Sequence, residues 1–156
     1  MLPGDPAARP GSPYKAVAFG VLTDFGGTLG LSIVLAFFYA MSLAASGTPP
    51  EDIAEAISKG SADSWYFWAA SMGGGGFSVL GAYVCARVAR QSEYTLGAIL
   101  ALINVVLGLV ISDGERDVGM SIVLNAATVA CVALGAWLGK KTNRRPAASP
   151  PLRPSP

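Results

Sequence analysis

The sequence contains no histidine among its 156 residues. That removes imidazole metal ligands, His general bases and Ser-His-Asp or Cys-His nucleophile systems. It has two cysteines, too few for a disulfide framework or a four-thiolate metal site, and no C-x-x-C. Charge is scarce as well: 13% of residues are charged, where a soluble domain carries about a quarter. The net charge of +1 gives no basic surface for nucleic acid. These absences leave no catalytic, cofactor-binding or metal-binding constellation, and the chain reads as a non-enzyme without a cofactor.

What is present is apolar length. Hydrophobic residues make up 52% of the chain, and four long apolar stretches cover 16–45, 65–88, 94–112 and 118–139. A helix needs about 20 apolar residues to cross a hydrocarbon core. Three stretches match that length, and the first exceeds it, so it tilts or projects beyond the lipid. All 11 prolines fall outside the four stretches. Of 19 glycines, 14 fall inside them, a pattern that suits close helix approach in lipid better than helices in water. No stretch alternates like a barrel strand. The expected fold is all-α, an integral membrane bundle of four transmembrane helices over 16–139. It is flanked by a disordered cytoplasmic arm over 1–15 and a basic, Pro-rich disordered tail over 140–156.

Nine cations (Arg9, Lys15, Arg87, Arg90, Lys140, Lys141, Arg144, Arg145 and Arg153) flank one side, and two (Lys59 and Arg116) flank the other. Lys/Arg-rich loops stay cytoplasmic, so both termini are expected inside, in a bacterial inner membrane. Trp65, Tyr66, Phe67 and Trp68 open the second span as an interfacial aromatic belt or a binding platform. Between the first two spans, Pro49 to Gly60 has acids in its first turn and Ile53 and Ile57 on one face, which predicts a short interfacial helix.

Asp24 is the one charge well inside a span. An intramembrane acid costs at least about 2.5–3.5 kcal/mol and is a functional candidate by default. It reads either as a protonatable or cation-binding group, or as a carboxylate at the inner boundary paired with Arg87. Asn104 and Asn125, near the middles of the third and fourth spans, either line a polar path or pin helices together by amide hydrogen bonds. Gly26-x-x-x-Gly30, the run Gly73-Gly74-Gly75-Gly76, and Gly135-x-x-x-Gly139 read as packing surfaces. The four-glycine run has a second reading, a helix that unwinds to expose carbonyls. Leu80-Gly81-Ala82-Tyr83-Val84 and Leu134-Gly135-Ala136-Trp137-Leu138 repeat at an offset of 54, which would fit two parallel hairpins.

The segment Val79-Leu80-Gly81-Ala82-Tyr83-Val84-Cys85-Ala86-Arg87-Val88-Ala89-Arg90, followed by Ser92-Glu93-Tyr94-Thr95-Leu96-Gly97-Ala98, together with Asp24-Phe25-Gly26-Gly27, resembles a group of small bacterial four-helix inner-membrane proteins. The likeness spans most of the chain apart from its ends and implies architecture alone; no functional residue carries over. Two functions follow from the residues. One is a multi-pass protein that acts by helix packing in a homo-oligomer or larger membrane complex. The other is a small transporter or channel built on Asp24.

Overall fold

The computed structural model describes residues 12–59, 64–90, 92–111 and 118–143. They form five helices: α1 (Pro13–Ala45), α2 (Pro50–Lys59), α3 (Trp65–Ala89), α4 (Glu93–Ile111) and α5 (Val118–Asn143). No strand occurs among the described residues. Four of the helices are long and apolar enough to cross a membrane. The helical ends differ from the expected spans by a few residues. Pro13 to Lys15, assigned to the arm, are already helical, with proline in the first turn where its missing N–H costs nothing. Lys140 and Lys141, assigned to the tail, belong to the last turn of α5, where cations complement the helix dipole. The remainder of the arm, the tail beyond Asn143 and the third loop lie outside the described residues.

Local chemistry sets the helix ends. The α1 terminus closes as a Schellman turn: Gly47 N–H donates to Ala44 O and Thr48 N–H to Leu43 O. Gly47 sits at φ +85°, a conformation glycine adopts without Cβ strain. At the start of α3, the Ser64 hydroxyl accepts from Phe67 N–H at 3.2 Å, an N-cap bond. The α3–α4 turn is tight, with Arg90 and Ser92 both at positive φ.

Side-chain contacts fix the register. Gly20 lies against Gly81 and Cys85, Gly27 against Phe77 and Gly73 against Leu31, while Tyr39 stacks on Tyr66 with centroids 5.0 Å apart. α1 and α3 therefore run antiparallel. Gly75 faces Cys131, Gly135 meets Val79 and Ala82, and Gly139 meets Ala86, so α3 and α5 run parallel. Gly97 against Ala136 and Gly108 beside Asn125 make α4 and α5 antiparallel. α3 is the central helix, packed on α1, α4 and α5.

The glycines of the repeat at offset 54 make different contacts. Gly81 approaches α1, whereas Gly135 approaches α3 rather than its hairpin partner α4. The buried residues are mostly small (Ala16, Ala82, Cys85, Ala86, Ala89), while Phe19, Leu22, Ile33, Phe37 and Leu102 point outward. Small residues at the contacts let the helix backbones approach closely, as small residues do where apolar helices pack.

Candidate functional site

Most of the buried residues cluster in one half of the bundle. Ala16, Ala82, Cys85, Ala89, Leu96, Leu100 and Val132 form a single core away from α2. Toward α2 the helices separate around a cavity of about 1350 Å³. Asp24 sits where the two halves meet: it lines the cavity and is only 4% exposed.

Three helices build its environment. The Ser78 hydroxyl of α3 donates to Asp24 Oδ1 at 3.1 Å, and the Asn104 amide of α4 donates to Oδ2 at 2.5 Å. Both partners are neutral, so neither compensates the carboxylate's charge. Each oxygen retains a lone-pair direction beyond these bonds. α3 supplies Ser78 on a face of small residues. Ser71, Gly74, Ser78, Gly81 and Cys85 recur at spacings of three and four, the period that aligns residues on one side of a helix. Ser78 is not among the sequence candidates; this small-residue stripe is the signal that could have found it, since charge and amides alone do not single it out.

The other sequence candidates are distributed as follows. Asp24 and Asn104 come together. Arg87 does not join them; its described hydrogen bond runs to Asn143 Oδ1 at 3.3 Å, at the far end of α3. The reason is register: Asp24 packs beside Ser78 and Gly81, and Arg87 lies nearly two helical turns beyond Gly81. Asn143 also donates to Ala86 O at 2.9 Å and to Glu93 Oε1 at 3.4 Å, tying the ends of α3, α4 and α5. Asn125 donates to the Ser121 carbonyl in its own helix at 2.8 Å. It lines a second cavity of about 130 Å³ that Asn104 also borders, so the two amides are neighbours across a void.

The glycines divide by position. Gly73, Gly135 and Gly139 meet neighbouring helices, whereas a Cβ at Gly26, Gly30 or Gly76 would meet nothing within 4 Å. The expected Gly26-x-x-x-Gly30 packing face therefore contacts no other described helix; on α1 that role falls to Gly20 and Gly27. The four-glycine run stays helical, so its carbonyls remain in the backbone ladder. Gly74, Gly75 and Gly76 line the cavity; a Cβ at Gly76 would meet nothing within 4 Å, while one at Gly74 would touch Thr28 and one at Gly75 would touch Cys131.

α2 borders the cavity through Ser58. Ile53 and Ile57 are half-buried, while Glu51, Asp52, Ala54 and Glu55 are exposed. Trp68, from the aromatic opening of α3, also borders the cavity, and Tyr39 holds Trp65 edge-on and Tyr66 face-on. No protein-family model, curated protein or solved structure matches the chain.

Proposed function

We propose that the protein is a small multi-pass transporter or channel whose working group is Asp24, a protonatable or cation-binding carboxylate. The observation that carries this reading is a buried acid, held by two neutral donors, on the wall of a cavity of about 1350 Å³. A carboxylate retained in an apolar bundle without a compensating cation among its bonding partners marks an ion or substrate path. The reading is non-enzymatic. It sets the four long helices across a bacterial inner membrane with both termini cytoplasmic, so that the cavity faces outward and the packed half closes the cytoplasmic side. α2 then lies on the outer surface at the cavity mouth.

Proteoliposomes with an imposed pH gradient test this reading. Wild-type protein is expected to dissipate the gradient, and Asp24→Asn to abolish that flux while keeping side-chain volume and fold. Flux unchanged by the substitution overturns the reading.

The second reading, helix packing in a homo-oligomer or larger membrane complex, has one observation in its favour. Gly26 and Gly30 form an unfilled strip on α1 beside the exposed Leu22 and Ile33. Cross-linking in native membranes tests it: a discrete oligomer lost on Gly26→Leu and Gly30→Leu is expected, and an unaltered pattern contradicts it.

A further inference from the structure

The carrier reading leaves open what enters the cavity. We infer that the ligand is an organic monocation with an apolar body, its charge at Asp24 and its body against Phe25, Trp68, Met72 and Leu107. This rests on the carrier reading above and adds the substrate class to it.

Size comes first. Pockets for small molecules measure about 300–1,000 Å³, and this cavity, at about 1350 Å³, is at least that large. A bare inorganic ion would occupy a small part of it and would stay mostly hydrated. Charge comes second. Among the described lining residues Asp24 alone is acidic or basic at neutral pH, so one positive charge balances the site and a second would be uncompensated in an apolar surrounding.

Wall chemistry comes third. Phe25, Trp68, Met72 and Leu107 present aromatic, thioether and aliphatic surface, which suits a bulky apolar cation through dispersion and cation–π attraction. Divalent metals prefer several oxygen ligands. Among the described residues no three His, Cys, Asp or Glu side chains come together, and the Gly74–Gly76 carbonyls are engaged in the helix. An anion is repelled by Asp24, and a neutral guest leaves the carboxylate uncompensated.

The open space at Gly76 gives this inference a handle that leaves Asp24 untouched. A Cβ at Gly76 would meet no neighbour within 4 Å, so Gly76→Phe enters open space at the cavity wall.

The test uses the full chain in lipid nanodiscs with Trp65→Phe and Trp137→Phe, leaving Trp68 as the single indole beside the cavity. Tetraphenylphosphonium is titrated against Trp68 emission, with tetraphenylborate as a probe of the same shape and opposite charge, and Na⁺ and Mg²⁺ as competitors. Saturable quenching by tetraphenylphosphonium is expected, with the apparent Kd raised at least tenfold by Asp24→Asn and by Gly76→Phe. Neither tetraphenylborate nor millimolar Na⁺ or Mg²⁺ should displace it. Equal binding by wild type and Asp24→Asn, equal binding of the borate, or displacement by Na⁺ or Mg²⁺ overturns the inference. Asp24-dependent proton flux without phosphonium binding overturns the inference and leaves the carrier reading standing. Charge-selective binding without any flux supports the inference and overturns the carrier reading.

Discussion

The two halves of the bundle use the same residue type to opposite ends. In the half away from α2, glycine brings helices into contact. A Cβ at Gly81 would fall 2.7 Å from the Gly20 carbonyl and 2.8 Å from Asp24 Cβ, closer than real Cβ atoms approach. In the half toward α2, Gly74 and Gly75 reach only the side-chain ends of Thr28 and Cys131, and a Cβ at Gly76 would meet nothing within 4 Å, so along the cavity wall the missing side chains leave space. A glycine-rich apolar helix is therefore not uniformly a packing surface. What a glycine does depends on whether a neighbour's backbone reaches it.

Substitutions that add atoms should separate the halves. The largest effect is expected at Gly81→Val, where the new side chain meets α1 backbone that cannot swing away. Overpacking of this kind costs about 1–3 kcal/mol or more, read as a lowered midpoint in denaturing-detergent titration. Gly135→Val should behave alike, since its Cβ would meet the Val79 carbonyl and Ala82.

Next comes the boundary between the halves. Asp24→Ala leaves the Ser78 hydroxyl and Asn104 amide without their acceptor. With interhelical bonds in membranes worth about 0.6–2 kcal/mol each, a loss of about 1–3 kcal/mol is expected in the same titration. Asp24→Asn, which keeps an acceptor oxygen, should lose less. A deficit as large for Asn as for Ala would mean that the charge itself holds the three helices together.

Asn143→Ala should cost about 1 kcal/mol, seen as faster amide exchange confined to the end of α5 and the α3–α4 turn. Global acceleration would show that this tie reaches beyond the helix ends. The smallest effect belongs to Gly76→Ala, where the new methyl meets nothing within 4 Å. Alanine's better helix propensity makes this neutral to stabilising by up to about 1 kcal/mol. A clear destabilisation would mean that the cavity wall is closer packed than described.

Much of this organisation was legible in the sequence, for reasons that also mark its limits. Hydropathy and proline placement locate the four long helices because apolar length is a property of composition. The acids and the Ile53/Ile57 pair locate α2. Asp24 is conspicuous because charge is scarce. Which face of each long helix turns inward was harder to read. Helices apolar on all sides carry almost no amphipathic signal, so Ser78 is visible only through the spacing of small residues along α3. Arg87 was matched to Asp24 by complementary charge and depth, while the partner it reaches, Asn143, lay in a segment expected to be unstructured. The glycine motifs were legible as motifs, but their roles depend on what stands opposite, which no single helix encodes.

The native cysteines offer the most direct test, because one lies in each half. Cys131 borders the cavity, and Cys85 is 0% exposed in the packed core. The measurement is the rate at which each is modified in proteoliposomes by two methanethiosulfonates of similar size, one bearing trimethylammonium and one bearing sulfonate. The account predicts modification of Cys131 but not Cys85, a faster reaction with the cationic reagent, and collapse of that preference in Asp24→Asn. Equal labelling of both cysteines, or a charge preference that survives Asp24→Asn, would contradict the claim that an open cavity presents Asp24 to cations.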